Sequence, residues 1–236
     1  TVHLNHGGTE MGQGLFTKIA QICGDAFGLP IDKVAITPTH TGKVPNSSAT
    51  AASSGTDLNG MATVAAAETL KARMAAYLAA QYQADVTSVR FADAQVYVGD
   101  EAISFAEAAM MCWQGRVSLS ATGFYATPEI HWDPDQAKGV PFYYFAYGAA
   151  VTEVAVDRLT GENRILRVDI LHDVGRSINP ALDRGQIEGG FIQGAGWLTT
   201  EELVTEFKTM TVRIRDKNKM NKIENCIGSG VKITQV

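Results

Sequence analysis

Between residues 14 and 27 the apolar positions of the chain recur every three or four residues. This spacing places them on one face of an α-helix, which Gly28 then ends. An Ala-rich stretch further on predicts a second helix, which reaches about Gln81 and takes either Thr56 or Asp57 as its N-cap. The first third of the chain is therefore expected to contain two helices.

Shorter apolar stretches predict strands, and two more helical patterns lie among them. Ser104 is expected to cap a third helix that runs to Trp113, and a fourth covers residues 183–200. Strands and helices are mixed without the strict βαβ rhythm of a parallel sheet, so the pattern predicts the α+β class, with mixed helices and antiparallel strands. The expected strands cover residues 2–4, 34–37, 88–91, 95–98, 117–125, 143–157 and 163–171, the last two as an antiparallel pair.

The composition excludes several classes of protein. With 236 residues, 45% of them hydrophobic, the chain is long enough to bury a core. It has no apolar run of membrane-spanning length, and a formal net charge of -5 gives no reason to expect nucleic-acid binding. Its three cysteines are widely spaced and form no CxxC motif, which fits a reducing cytoplasm. We therefore expect a cytoplasmic protein that binds neither membranes nor nucleic acids.

The composition changes near residue 204. Residues 205–236 contain seven Lys or Arg and three Asp or Glu, whereas residues 1–204 contain 13 and 22. The tail also lacks alanine, which is abundant in the body of the chain. We therefore expect a domain over residues 1–203, followed by a divergent tail over 204–236 that is frame-shifted or disordered.

Glycines dominate the segment between the first strand and the first helix. Four of the nine residues from His6 to Gly14 are glycine, and a helical pattern follows at once. A loop of this kind offers backbone N–H groups and the positive end of a helix dipole to an anion. Its spacing matches neither a P-loop, which needs Gly-Lys-Ser/Thr, nor the Gly-x-Gly-x-x-Gly of dinucleotide sites. On these residues alone, an ordinary loop stays the alternative to an anion site.

Several other conspicuous residues have structural interpretations. His3 and His6 lie three residues apart, but no acidic or Cys partner completes a metal site, so packing in a strand or loop is expected. Glu10 is interpreted as a solvated or helix-start carboxylate rather than a catalytic base. Core positions are expected for the tryptophans, which are Trp113, Trp132 and Trp197.

The glycine-rich loop, with the sequence His-Gly-Gly-Thr-Glu-Met-Gly-Gln-Gly, resembles a cofactor loop in the molybdenum-binding part of the xanthine dehydrogenase and xanthine oxidase family. Four more segments resemble segments of that family, in the same order and at similar spacing. The chain, which opens on a strand without a Met, is therefore similar to an internal fragment of the molybdopterin-binding subunit or domain, with an unrelated C-terminal tail. The four segments are residues 50–60, 118–128, 147–161 and 173–194.

The resemblance implies a site for molybdopterin, whose own sulfurs bind the molybdenum, so that the protein supplies no metal ligand. The side-chain amides of Gln13 and Gln193 would bind the polar pterin ring, because each has donors and an acceptor. Hydroxyls and backbone amides of residues 50–54 would bind an anionic group, and the small alanines there would leave room for the metal. The residues expected at the cofactor are Gly12, Gln13, Gly14, Thr50, Ala51, Ala52, Ser53, Ser54 and Gln193.

The resemblance also implies a reaction. The family hydroxylates xanthine and hypoxanthine with oxygen derived from water, and the electrons leave through [2Fe–2S] clusters to FAD on other parts of the enzyme. The expected partners are thus the purine substrate, the rest of the molybdenum subunit and an FAD and Fe–S subunit. The family's catalytic glutamate lies in a Gly-Glu-Pro-Pro-like motif that this chain lacks, and its substrate-orienting arginine and phenylalanine lie upstream. We therefore assign no catalytic residue and expect the isolated chain to be inactive.

Two alternatives stay open. The chain could be a non-catalytic, truncated remnant that binds pieces of the cofactor or other proteins. It could also be part of a molybdenum hydroxylase that acts on aldehydes or other heterocycles. The Gly-Phe-Tyr-x-Thr-Pro block at residues 123–128 resembles the xanthine-oxidising members and favours xanthine over an aldehyde.

Overall fold

The protein forms two compact units, Thr1–Tyr143 and Tyr144–Val236. Both contain helices and strands, and most strand pairs are antiparallel, so the expected α+β class is confirmed. Among the described residues no helix is long and apolar enough to cross a membrane. The computed structural model describes residues 1–44, 47, 49–51, 53–206, 209–214 and 231–235.

The elements of the first unit are β1 (Val2–Leu4), α1 (Leu15–Phe27), β2 (Val34–Ile36), α2 (Gly55–Tyr82), β3 (Val89–Ala92), β4 (Gln95–Val98), β5 (Glu101–Ser104), α3 (Phe105–Gln114), β6 (His131–Asp133) and β7 (Lys138–Val140). Strands β1 and β2 pair in parallel, which places the start of α1 beside the loop after β2. Strands β3, β4 and β5 form an antiparallel meander, and β6 and β7 form an antiparallel hairpin. The sequence pattern did not indicate β5, β6 or β7.

Helix α1 buries one stripe of side chains. Leu15, Ile19, Cys23 and Phe27 follow one another at intervals of four residues, and each is at most 3% exposed. The stripe packs on α2, and full burial of a Leu, Ile or Phe side chain stabilises the fold by roughly 1.5–3 kcal/mol. The helix ends at Gly28, whose φ of 64° is a left-handed conformation that glycine adopts at low cost. The expected first helix is thus confirmed to within one residue.

A second buried cluster joins α2, α3 and the β3–β5 meander. Leu78, Val96 and Cys112 form its centre and are completely buried. Helix α3 begins with a capping box, in which Ser104 Oγ accepts a hydrogen bond from the N–H of Glu107 and the Glu107 carboxylate accepts one from the N–H of Ser104. The expected Ser104 cap is therefore confirmed.

Residues 117–125, which were expected to form a strand, form none. A side chain of α2 binds their backbone instead, since Arg73 Nη1 donates a hydrogen bond to Ser120 O at 2.9 Å. Further along, Gly123 lies so close to α2 that an added Cβ would collide with the carbonyl oxygen of Ala62. The strand expectation was wrong because an alternating pattern suits any extended segment, and here packing on a helix replaces pairing with a strand.

The elements of the second unit are β8 (Gly148–Val156), β9 (Asn163–His172), α4 (Pro180–Thr199), β10 (Glu201–Glu206), β11 (Thr209–Ile214) and β12 (Val231–Gln235). Strands β8 and β9 form the expected antiparallel pair, and β12 adds to β9 in parallel. Strands β10 and β11 pair separately and antiparallel. Residues 207–208, 215–230 and 236 of the expected tail lie outside the described residues, and the boundary between 203 and 204 stays a prediction.

Helix α4 begins at Pro180, three residues before the start that the apolar pattern indicates. Asn179 caps it by accepting a hydrogen bond from the N–H of Leu182. Proline suits the first helical position because the N–H that it lacks would have no acceptor within the helix there.

The expectation of core positions for the tryptophans was wrong, since all three side chains are at least half exposed. Their exposed fractions are 67% for Trp113, 50% for Trp132 and 75% for Trp197.

The contact of Gly123 with α2 gives a stability prediction. Gly123→Ala should destabilise the first unit by roughly 1–3 kcal/mol, because the new methyl group has to push the segment away from the helix. Thermal unfolding of the 236-residue chain, followed by circular dichroism, measures this as a fall in Tm of about 2–4 °C per kcal/mol. Gly42→Ala is the control, because a Cβ there would lie an ordinary 3.4 Å from the His40 ring. Equal Tm values for the two variants would contradict the packing.

Candidate cofactor site

Two loops of the first unit meet where α1 and α2 begin. The N–H of Gly8 donates to Asn59 Oδ1 on α2 at 3.1 Å, and the N–H of Thr9 donates to Thr50 Oγ1 at 2.8 Å. Because Gly8 has no Cβ, the side chains of Leu15 and Asn59 can lie directly against its backbone. The structure therefore brings the glycine-rich loop of residues 6–14 next to the segment that precedes α2.

Asn59 is a site residue that the sequence analysis missed. Its Nδ2 donates to the carbonyl of Gly55, one turn earlier in α2, at 2.7 Å, and its Oδ1 is thereby turned toward Gly8. Asparagine favours caps and turns over helix interiors, so its place in the second turn of a predicted helix was the one available signal.

The carboxylate of Glu10 closes the N-terminus of α1. Its Oε1 accepts hydrogen bonds from the N–H groups of Gly12 and Gly14 at 2.9 and 3.0 Å, and its Oε2 accepts one from Phe16 at 2.9 Å. These amides therefore bind an anion that belongs to the loop itself, and the expectation that Gly12, Gln13 and Gly14 lie at the cofactor stays a prediction. The interpretation of Glu10 as a helix-start carboxylate is confirmed.

The hydrogen bonds to Glu10 also determine its charge. Partial desolvation raises the pKa of this carboxyl, but the backbone N–H groups of Phe16, Gly14, Gly12 and Met11 lower it by more. The net result is a pKa below the ordinary value of 4.5. Glu10 is therefore ionised at neutral pH, and the loop engages three of its acceptor positions, as expected of a helix-start carboxylate.

The side chain of Gln13 is held within the same loop. Its Oε1 accepts a hydrogen bond from the N–H of Met11 at 2.6 Å, and its Nε2 donates one to the carbonyl of Thr9 at 2.8 Å. The flanking residues Gly12 and Gly14 have φ angles of 99° and 77°, which only glycine adopts without strain. A primary amide has two N–H donors and two acceptor positions, so within the part of the chain that the structure describes these bonds leave one donor and one acceptor of Gln13 for a ligand.

The segment before α2 supplies small and hydroxyl side chains. Thr50 binds the glycine-rich loop as described, and Ala51 is exposed beside it. Ser53 has a φ of 56°, a left-handed conformation that costs a residue with a Cβ roughly 1–3 kcal/mol. Ala52, also expected at the cofactor, lies outside the described residues.

The N-terminus of α2 differs from that of α1. The helix begins at Gly55, so Ser54 takes the position before it and the expected caps Thr56 and Asp57 lie inside the helix. The side chain of Ser54 makes no capping bond, and its hydroxyl instead donates to the carbonyl of Ala51 at 3.2 Å. The first amides of α2 are therefore not covered by the side chain of the preceding residue, whereas those of α1 are covered by Glu10.

The remaining expected residue, Gln193, lies in the second unit on α4. It lines an open depression of about 420 Å³ together with Gly190, Gly194, Trp197 and Glu201. A Cβ added at Gly190 or Gly194 would meet no atom within 4 Å, so neither glycine is required by the packing of the described residues. The depression leaves room for a flat polar group beside the Gln193 amide.

The described residues contain no group of three or more His, Cys, Asp or Glu that could hold a metal ion directly. His6 is buried, which lowers its pKa despite the nearby charge of Glu10, and it packs edge-on against Phe16 with ring centroids 4.9 Å apart. Burial raises the pKa of the Cys23 thiol to about 11, so this cysteine is a neutral thiol at neutral pH. The donor set consists of amides, hydroxyls and glycine-flanked backbone, which fits an organic cofactor that brings its own metal ligands.

A family model described as a molybdopterin cofactor-binding domain matches residues 1–213. The chain therefore belongs to the family of molybdopterin cofactor-binding domains. It is 47% identical over 203 residues to a xanthine dehydrogenase of Oryza sativa subsp. japonica, and 44% identical over 208 residues to one of Dictyostelium discoideum. The resemblance noted in the sequence is thereby confirmed for the molybdopterin-binding part, while the unrelated tail stays a prediction.

The matches to these relatives cover 86% and 87% of this chain but 13% and 14% of the relatives, so the chain spans about one seventh of their length. The fold also matches the crystal structure of quinoline 2-oxidoreductase from Pseudomonas putida 86, with a TM-score of 0.77 over 99% of this chain and 29% of that one. At 21% identity, that likeness establishes the fold alone.

The lowered pKa of Glu10 predicts how stability depends on pH. The ionised carboxylate stabilises the fold fully above its unfolded-state pKa of about 4.5, and this contribution is lost as the pH falls through the lower folded-state value. Glu10→Gln should therefore cost roughly 1 kcal/mol near pH 6, and the difference from the wild type should shrink below about pH 4.5.

Urea unfolding of the 236-residue chain between about pH 3 and pH 6 measures the two free-energy profiles. Glu68→Gln serves as the control, because the Glu68 carboxylate pairs with Lys71 on the exposed side of α2 at 2.8 Å and closes no helix end. A difference for Glu10→Gln that stays constant with pH would contradict the assignment.

Proposed function

We propose that this chain is part of a molybdenum hydroxylase that oxidises xanthine and hypoxanthine, and that it contributes molybdopterin-binding loops to that enzyme. One observation carries the proposal, namely identity of 42–47% over most of the chain to proteins named xanthine dehydrogenase in plants, animals and a slime mould. The relatives are several times longer, so the reaction belongs to the assembled enzyme and this chain supplies one part of it.

The proposed roles follow from the chemistry of each side chain. The donor and acceptor of Gln13 that the loop does not use bind the pterin, and the Gln193 amide of the second unit is a further proposed pterin-binding group. Thr50, Ser53 and Ser54, together with the amides at the start of α2, bind the cofactor's anionic group, while Ala51 and Ala52 leave room for the metal and a planar substrate.

The glycines beside the two glutamines have a separate role. Gly12 and Gly14 let the loop approach the ligand closely, as Gly194 does on α4. When bound, the cofactor supplies the molybdenum centre that transfers oxygen and accepts electrons, and this chain supplies no catalytic group of its own.

Further parts of the enzyme complete the proposal. The chain has no cysteine spacing for an iron–sulfur cluster, so [2Fe–2S] centres and FAD lie on other domains or subunits. The purine substrate, the rest of the molybdenum subunit and the FAD and Fe–S part are the proposed partners, in the cytoplasm. A molybdenum hydroxylase for aldehydes or other heterocycles is the second candidate, which the fold of quinoline 2-oxidoreductase permits but, at 21% identity, does not favour.

Cofactor retention tests the binding proposal directly. The 236-residue chain, purified from a host that makes molybdopterin, should carry pterin that is released and oxidised to a fluorescent product. Gln13→Ala and Gln193→Ala should each lower the pterin per mole of protein by roughly two- to tenfold, the equivalent of one or two lost hydrogen bonds. Gln136→Ala, in the exposed β6–β7 hairpin, should leave it unchanged. Wild-type chain without pterin would count against cofactor binding by these residues alone.

A chimera tests the substrate. Residues 1–203 of this chain, placed in the rice xanthine dehydrogenase in exchange for its matching segment, should support xanthine-dependent dye reduction and prefer xanthine to an aldehyde. The isolated 236-residue chain should reduce no dye. A folded, cofactor-loaded chimera that oxidised aldehydes but not xanthine would favour the second candidate function.

A further inference from the structure

We infer that Glu10 is a positioning residue, which holds the Gln13 amide in the one orientation that presents a donor and an acceptor to the pterin. The inference rests on the proposed function, because it assigns Gln13 to the cofactor. Glu10 then acts neither as a catalytic base nor as part of an open anion site, but holds the loop that orients Gln13.

The first step of the argument is the backbone on either side of Gln13. Glu10 Oε1 accepts the N–H groups of both Gly12 and Gly14, the residues immediately before and after Gln13. Glycine loses more conformational freedom on folding than any other residue, so a loop with glycines at these positions needs an external constraint. One carboxylate oxygen supplies that constraint to both glycines at once.

The second step is the orientation of the amide itself. Gln13 Oε1 faces the N–H of Met11, and Gln13 Nε2 faces the carbonyl of Thr9. A flipped amide would place NH₂ against N–H and oxygen against oxygen, so two attractive contacts would become repulsive. The backbone of residues 9–14 thus selects one of the two amide orientations, and Glu10 holds that backbone in place.

The third step is the position of the charge. The Glu10 carboxylate is bound by the amides of Gly12, Gly14 and Phe16, so it neutralises the N-terminus of α1 from inside the loop. An anionic group of the cofactor is repelled from this helix end, whereas the neutral Gln13 amide beside it is suited to a neutral, polar ring. Glu10 therefore acts on the cofactor through Gln13 and without touching it.

A double-mutant cycle tests the coupling. Pterin retention is measured for four forms of the 236-residue chain: wild type, Glu10→Gln, Gln13→Ala and the double variant. Glu10→Gln should lower retention roughly three- to tenfold, and the double variant should be no worse than Gln13→Ala, because both changes remove the same contact. The inference would be overturned if the losses of the two single variants multiplied in the double variant. It would also be overturned if the Glu10→Gln chain retained as much pterin as the wild type.

Glu107→Gln is the matched control. It removes a carboxylate that caps another helix of the same unit, so it imposes a similar loss of helix capping without touching the loop. Its pterin retention should equal that of the wild type. If Glu107→Gln lost as much pterin as Glu10→Gln, general destabilisation of the unit would explain both losses, and a positioning role for Glu10 would be contradicted.

A spectroscopic test uses the wild-type chain and no cofactor. In an acid titration followed by NMR, the side-chain NH₂ signals of Gln13 should shift with the same midpoint as the backbone amides of Gly12 and Gly14, because protonation of Glu10 releases all three together. Gln13 signals that do not follow this titration would overturn the inference, even if Glu10→Gln fails to fold. Wild-type chain that carries no pterin but gives the coupled titration would count against the proposed function and leave the link between Glu10 and Gln13 intact.

Discussion

The close parallel packing of α1 on α2 is the constraint on which the candidate site depends. Leu15 lies against Gly55, and Ile22 lies against Gly60, so residues near the start of one helix contact residues near the start of the other. A Cβ at position 60 would lie 2.7 Å from Ile22 Cδ1, and glycine is what allows this approach. Because both helices begin at the same place, the loops that precede them share one surface, although the hydrogen-bonded residues Thr9 and Thr50 are 41 residues apart in the chain.

Two helix N-termini side by side carry two partial positive charges of the same sign, which is unfavourable unless something negative lies nearby. The carboxylate of Glu10 satisfies one of them internally, and the other is left without a side-chain cap at Ser54. The two helix starts therefore differ, because the carboxylate at α1 lies in the loop before the helix, whereas the acidic residue at α2, Asp57, lies within its first turn.

The fold was predictable where local pattern and packing agree. The four-residue spacing of the α1 stripe, the Gly28 stop and the Ser104 capping box each act over one or two helical turns, so they are visible in the sequence. The strand prediction for residues 117–125 failed because these residues pack on Arg73 and the backbone of α2, some 45 residues away in the chain. Their alternating pattern contains no information about what lies opposite.

The candidate site was predictable as a set of residues and not as a geometry. A resemblance to one family indicated Gln13, Thr50 and their neighbours, and the structure joins both loops through Thr9 and Thr50. Nothing local showed that Glu10 would fold back onto the amides of Gly12 and Gly14, since that depends on the φ angles of both glycines. The same limit applies to Asn59, whose role appears once α2 lies beside the loop.

The carboxylate of Glu10 also determines how the glycine-rich loop responds to free anions in solution. Because Glu10 is tethered only two to six residues from the amides it binds, its effective concentration there is on the order of millimolar or higher, which disfavours its exchange for a free anion. The loop therefore keeps its shape whether or not such competitors are present. The hydrogen bonds to Glu10 order Gly12 and Gly14 before any ligand arrives, so binding to this loop would not have to bear that entropy cost.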